Sequence, residues 1–350
     1  MAAIHSVCTT FPKIYESQEN IAKEIGSIWP DKQKHVDQFH QASQVKGRHL
    51  SIPLSEYKNL GDIGERSKKW LETAVELQTE NIQKLLDKAG LSPADISLIV
   101  STTVTGLAIP TLEARLMNKL PFKPNTKRIP IFGLGCLGGV AGINRVNDYL
   151  LGHPEEAALL IATELCSLTF QFHDKSVANL VGTSLFADGA AAVLMLGEKH
   201  PLYNKAQFKV LNSESFFYPD TERIMGWDII SSGFQIVLSG DVPKIVVEQV
   251  KPNLESFLSQ NKIASSDVNF MVSHPGGPKV LDKLSEVSGR APEDFIHSWT
   301  SLREKGNMSS VSVLHVLEKT IGDQHKRNEI GLMLAMGPAF CSEMCLIKKI

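Results

Sequence analysis

The feature that most constrains this chain is that it repeats itself. Leu91-x-x-x-Asp95-Ile96-x-Leu98-Ile99-Val100-Ser101 is echoed 172 residues later by Ile263-x-x-x-Asp267-Val268-x-Phe270-Met271-Val272-Ser273. Each copy follows a helix-patterned stretch. The first carries Trp70, Leu71, Ala74, Val75, Leu77, Ile82, Leu85 and Leu86; the second carries Val246, Val247, Val250, Leu254, Phe257 and Leu258. Downstream, the order strand–Cys136–helix–Gly152–strand matches Asn307–helix–Gly322–strand at an offset of 171. Ordered matches at a nearly constant offset imply two similar halves, with the join near residues 198–215 and a boundary set at 1–205 and 206–350. Short apolar runs such as Ala157–Ala162 and Gly189–Gly197 read as buried strands. Their alternation with helices makes the fold α/β. In a duplicated α/β fold, the site is expected where the halves meet, at strand ends and helix N-termini.

Three residues stand at such places. Cys136 lies in Gly133-Leu134-Gly135-Cys136-Leu137-Gly138-Gly139, between a strand and a helix. A thiol at a helix N-terminus is expected to have a lowered pKa and to serve as a nucleophile, although a small buried cysteine fits the same position. His274, in Ser273-His274-Pro275-Gly276-Gly277-Pro278, ends the second copy of the repeated strand; alone it also reads as a structural histidine. Asn307, in Gly306-Asn307-Met308-Ser309-Ser310, is expected to open a helix, where asparagine ordinarily serves as an N-cap. The repeat makes Asn307 the counterpart of Cys136, which brings the three to one cleft as a thiol nucleophile with two hydrogen-bond donors.

A rival reading exists. Gly133-x-Gly135-x-x-Gly138 fits the dinucleotide fingerprint, and Glu164 ends the next strand where a ribose carboxylate belongs. A cysteine in the phosphate turn argues against it, and it leaves His274 and Asn307 without a part. Metal-binding spacings are lacking, so no metal is expected. Cys8, Cys166, Cys341 and Cys345 read as packing residues. Lys34, Lys46 and Arg48 read as a solvated helix face or as groups facing an acidic cofactor.

At these residues the sequence resembles the type III polyketide synthases, the chalcone synthase-like family. The motifs are Gly133–Gly139, His274–Pro278, Gly306–Ser310, Leu185-Phe186-Ala187-Asp188-Gly189-Ala190-Ala191-Ala192 and Gly240-Asp241-Val242-Pro243, spanning residue 90 to the C-terminus with a looser start. The resemblance implies a thiolase-like αβαβα layered fold of two duplicated halves, in a homodimer. It implies that Cys136 holds an acyl group taken from an acyl-CoA. It also implies that His274 activates the thiolate and, with Asn307, stabilises the enolate formed from malonyl-CoA. Phe186 and Phe234 match gatekeeping phenylalanines. Val104, Cys166, Thr169, Met225 and Ser309 match cavity-lining positions, and Ile109 matches a loop that reaches the neighbouring subunit. The family's usual Gly-Phe-Gly-Pro-Gly is here Ala335-Met336-Gly337-Pro338-Ala339, and Val104 and Cys166 replace threonines. A less polar cavity follows, which points to a fatty acyl starter and an alkylpyrone or alkylresorcinol product. The CoA substrates leave no separate cofactor to expect. Alternatives are a ketoacyl synthase condensing once onto an acyl carrier protein, a nicotinamide-dependent dehydrogenase, and a non-catalytic dimer partner.

Composition narrows the partners. There are 36 basic against 38 acidic residues, a net charge of −2, so no basic excess exists to bind nucleic acid. No apolar run is long enough to span a membrane. The N-terminus lacks a signal-peptide pattern, and five irregularly spaced cysteines suit a reducing, cytoplasmic setting.

Overall fold

The computed structural model describes all residues, 1–350. Along the first half, β1 (Ala3–Thr10) is followed by β2 (Ile14–Ser17), α1 (Gln18–Ile28), α2 (Gln33–Ala42) and β3 (Gly47–Leu50). The long α3 (Ile63–Ala89) begins at Asp62, whose carboxylate accepts from the Gly64 and Glu65 amides, and ends at Gly90 in the left-handed region. Then come β4 (Ile96–Thr103), α4 (Leu112–Met117), β5 (Lys127–Phe132), α5 (Gly138–Gly152), β6 (Ala157–Leu165), α6 (Val177–Leu185) and β7 (Asp188–Leu196).

The second half supplies β8 (Phe208–Phe217), the hairpin β9 (Met225–Ile230) and β10 (Gly233–Leu238), α7 (Val242–Ile245), α8 (Lys251–Gln260), β11 (Val268–Ser273), α9 (Pro278–Ser288), α10 (Ile296–Lys305), α11 (Ser310–Ile321), β12 (Ile330–Gly337) and β13 (Cys341–Lys349). A π-helical turn at Val246–Val250 joins α7 to α8, so the expected helix is continuous but locally widened.

The repeat shows in the turns before the matching strands. Asp95 accepts a hydrogen bond from the Ser92 amide at 2.8 Å, and Asp267 accepts one from the Ala264 amide at 3.0 Å, each fixing the turn before its strand. Gly90 has φ 69°, and its counterpart Lys262 has φ 57°. The copies differ at one place. The counterpart of β5 at offset 171 falls in α10, so the second half has no matching edge strand.

Nine strands form one sheet in the order β11-β12-β13-β8-β1-β7-β6-β4-β5. The halves join where β1 pairs antiparallel with β8 (Ala3↔Lys209, Ile4↔Phe208). The sheet wraps around α5 and α11, which contact strands of both halves and lie at the centre of a core containing Val140, Ile143, Val313 and Leu314. Helix α3 covers the outer face of the first half, and α8 to α10 cover the second. The result is the expected α–β–α–β–α layering. Close approach of the central helices requires Gly139, where a Cβ would stand 2.4 Å from the Ser310 carbonyl oxygen. No helix is long and apolar enough to cross a membrane.

Candidate active site

Cys136 sits on a single 3-10 turn, Gly135–Leu137, between β5 and α5. Gly135 takes φ 54°, and a Cβ there would lie 2.7 Å from the Pro338 ring. The Met336-Gly337-Pro338-Ala339 loop is therefore pressed against the cysteine turn. Ala339, where the family's pattern has glycine, takes φ 55°, a conformation that strains an L-residue.

His274 follows β11 and is buried, and neither ring nitrogen has a protein hydrogen-bond partner. Buried imidazoles are ordinarily satisfied, so this pair of free nitrogens marks a place prepared for another group.

Asn307 does not cap a helix. Its backbone instead forms a bridge beside Phe186: its amide donates to Leu185 at 2.8 Å, and its carbonyl accepts from Ala187 at 2.9 Å. Helix α11 starts three residues later, after Ser309, whose φ is 48°. The Asn307 side chain is fixed at both ends. Its Oδ1 accepts from the Ser309 amide (2.9 Å), and its Nδ2 donates to the Gly276 carbonyl (3.1 Å). One Nδ2 hydrogen is left over. Gly306 makes the bridge possible, since a Cβ there would lie 2.8 Å from the Leu185 oxygen.

Cys136, His274, Asn307, Ser309, Phe186 and Met225 all line one cavity of about 410 Å³ at the seam between the halves. Lys279, in the first turn of α9, is its only charged lining residue and was not singled out from the sequence. Val104 and Phe234 lie elsewhere, in an adjoining chamber of about 330 Å³ that shares Met225 with the first. Cys166 and Thr169 line a third, apolar pocket of about 70 Å³ behind Phe186. The cavity expected as one is thus three chambers. Phe186 faces Trp227 at 5.7 Å between ring centroids, whereas Phe234 packs near Phe132 at 6.2 Å. Ile109 touches none of these spaces and is 98% exposed.

Burial governs the charges. It pushes the Cys136 thiol up to about 12, offset in part by the neighbouring Ser309 hydroxyl, rather than down as the helix position led one to expect. It pushes His274 down to about 3. The two groups line the same cavity without a hydrogen bond between them, and burial keeps each of them neutral. Glu164, raised to about 7 by burial, is enclosed by the Val104 amide (3.1 Å) and the Thr105 and Ser310 hydroxyls (2.9 and 2.7 Å). It is not available to a ribose, which removes the structural basis of the dinucleotide reading.

Arg48 also departs from expectation. It belongs to strand β3, not to a helix, and is buried. Its guanidinium donates to the carbonyls of Phe186 (2.7 Å) and Thr183 (2.6 Å) and to Gln18 (3.0 Å). Lys34 and Lys46 are exposed. Cys166 and Cys345 are buried, whereas Cys8 and Cys341 are half-buried.

The layered fold and its seam cavity define an acyl-transferring enzyme of the thiolase-like class. Comparison with known proteins then identifies the family. Residues 53–213 match the model for FAE1/type III polyketide synthase-like proteins, and residues 209–350 match the C-terminal domain of chalcone and stilbene synthases. The chain is 39% identical to 1,3,6,8-tetrahydroxynaphthalene synthase of Streptomyces peucetius subsp. caesius over 99% of this chain and 92% of that protein. It is 31% identical to phloroglucinol synthase of Pseudomonas fluorescens over 87% of this chain and 86% of that one. The crystal structure of 1,3,6,8-tetrahydroxynaphthalene synthase from Streptomyces coelicolor A3(2) superposes with a TM-score of 0.93 at 29% identity, covering 99% of both chains. The chain belongs to the type III polyketide synthases. It is an acyltransferase that builds polyketides by Claisen condensation with malonyl-CoA. The single-condensation and dehydrogenase alternatives give way to this assignment.

Proposed function

We propose that Cys136 is the nucleophile and acyl carrier, and that His274 and Asn307 manage the proton and the enolate. Cys136 passes its proton to His274, and its sulfur attacks the acyl-CoA thioester. The new C–S bond forms as the bond to CoA breaks and CoA leaves as the thiol. Malonyl-CoA then loses CO₂. The electron pair of the broken C–C bond becomes an enolate, whose oxygen accepts hydrogen bonds from His274 and the remaining Asn307 Nδ2 hydrogen. The enolate carbon attacks the acyl-Cys136 carbonyl, releasing the thiolate and lengthening the chain by two carbons. The observation that carries this reading is the convergence of a thiol, an imidazole with two unpartnered nitrogens and a fixed amide on one apolar cavity. Lys279, the only charge in that lining, is the group at hand for the CoA phosphates.

The experiment is malonyl-CoA decarboxylation measured apart from condensation. Asn307→Ala should slow decarboxylation by about 10²–10³-fold, the usual effect of removing one oxyanion donor. Cys136→Ser should abolish condensation. Unchanged decarboxylation in Asn307→Ala contradicts the role given to Asn307.

The starter is proposed to be a fatty acyl group, directed toward the pocket of Cys166, Ile21, Ile25, Leu50 and Leu54. The product is then an alkylpyrone or alkylresorcinol. A second reading, a small polyhydroxylated aromatic, is favoured by the 39% identity to a tetrahydroxynaphthalene synthase. Radiolabelled malonyl-CoA with acyl-CoAs of graded length separates them. Products made from malonyl-CoA alone, with no incorporation of long acyl groups, defeat the fatty acyl reading.

Halves of 1–205 and 206–350, cut between β7 and β8, and a homodimer complete the proposal. The dimer is supported by β5, an edge strand carrying the exposed Ile129 and Phe132, and by the exposed Ile109 in the loop before α4. Five free cysteines support a cytoplasmic setting.

A further inference from the structure

Three chambers meet around the site, and their shared walls are few. The reaction cavity and the pocket of Cys166 share Gly182, Phe186, Trp227 and Ile236. The reaction cavity and the chamber of Val104 and Phe234 share Met225, Gly226, Trp227, Val237 and Pro338. Trp227 alone lines all three. We infer that Trp227 is a specificity-determining residue for the condensation. Its indole is the partition that sets how far an acyl chain extends from Cys136 and which chamber receives it.

The two sides of this partition are held differently. Phe186 ends α6, and its backbone is clamped by the buried Arg48 guanidinium and by the bridge to Asn307. Its ring is thus placed by the same contacts that place the reacting amide. Trp227 instead stands on the β9–β10 hairpin, outside the nine-stranded sheet, opposite Ile236. Trp29 and Trp70 each anchor their indole N–H, on the Phe172 carbonyl and the Thr105 hydroxyl. The Trp227 indole is half-buried and makes no such bond to the protein, so no polar contact fixes it. Its position rests on contact with Phe186 and Ile236, so its removal opens the wall without unmaking a polar network. The space beyond is mainly apolar: Ile21, Ile25, Ile28, Leu50 and Leu54 outnumber polar neighbours such as Glu24 and Tyr57, which favours an alkyl chain over a polar polyketide.

This inference deepens the proposed function, and the test keeps the two apart. Wild type, Trp227→Ala and Trp227→Phe are assayed with malonyl-CoA alone and with acyl-CoAs from two to sixteen carbons. The readouts are kcat/KM for each starter, product length by mass spectrometry, and the starter-independent decarboxylation rate. Trp227→Ala should raise kcat/KM for the longest starters relative to the shortest by at least about tenfold. It should lengthen the products and leave decarboxylation within about twofold of wild type. Trp227→Phe should fall between. A uniform loss across all starters, or an unchanged product spectrum, overturns the inference. If no acyl-CoA is used by any of the three proteins, the fatty acyl reading fails. Products from malonyl-CoA alone then decide on Trp227, longer in Trp227→Ala if it is the partition and unchanged if it is not.

Discussion

At the residue scale, the chemistry turns on two groups that burial holds neutral. The Cys136 thiol and the His274 imidazole are each displaced far from neutrality as isolated ions, upward and downward respectively. In the proposed mechanism His274, rather than the start of α5, is what makes the thiolate accessible, by accepting its proton. On that proposal, His274→Gln removes the proton acceptor of a partly buried thiol. Its alkylation by iodoacetamide at pH 7, followed by mass spectrometry at Cys136, should slow at least about tenfold, and the pH midpoint of the reaction should move upward. An unchanged rate assigns the activation to the backbone turn instead. The three residues proposed to react stand out in the sequence because each sits in a turn whose glycines and prolines have local meaning. Their neutral resting state was not, because it depends on enclosure by segments far apart in the chain.

Glycines set the spacing at the scale of elements. The central helices α5 and α11 hold matching places in the repeat, and each has one residue of the proposed site at its approach. Their contact depends on Gly139, which faces the Ser310 carbonyl and Val313. Gly139→Ala should cost about 1–3 kcal/mol in urea unfolding, since the backbone oxygen cannot move aside as a side chain would. A loss below about 0.5 kcal/mol would mean that the helices slide apart freely. The repeat in the sequence located these helices and the strands before them within a few residues. It did not reveal that the counterpart of β5 is helical, nor that Asn307 precedes its helix. Both depend on pairing. Asn307 gives its backbone groups to Leu185 and Ala187, partners more than a hundred residues away, which holds it two residues ahead of the cap position taken by Ser309.

Charge and assembly are decided across the whole molecule. His40, His274 and His315 are buried and depressed to about 4, 3 and 3. Each favours the folded state fully above pH 6.5 and withdraws that support as pH falls toward the folded value, because only the unfolded chain takes up the proton. Glu164, raised to about 7, acts in the opposite sense: its support is complete below about 4.5 and fades as pH rises through 7. Comparing His315→Gln with the parent isolates one side. Between pH 8 and pH 5 the parent should lose about 2 kcal/mol relative to the variant in urea unfolding. No change in the difference would place His315 in contact with water. Assembly is checked by light scattering. The parent should show twice the 38.5 kDa chain mass, and a negative charge in the exposed loop, Ile109→Asp, should shift the population toward monomer. A monomeric parent removes the proposed dimer.

The repeat, the element types and the cysteine, histidine and asparagine of the site are written in the order of residues, because periodicity and turn chemistry are local properties of a chain. The partition of the cavity is not. Trp227 gains its position only when a hairpin from the second half meets α6 from the first, and nothing in the residues around Met225-Gly226-Trp227 announces that meeting. Arg48 looked like a surface cation until the fold surrounded it with the carbonyls of Thr183 and Phe186. Glu164 looked like a ribose ligand until three donors enclosed it. In each case the deciding contacts come from distant segments, and they exist only once the chain has closed on itself.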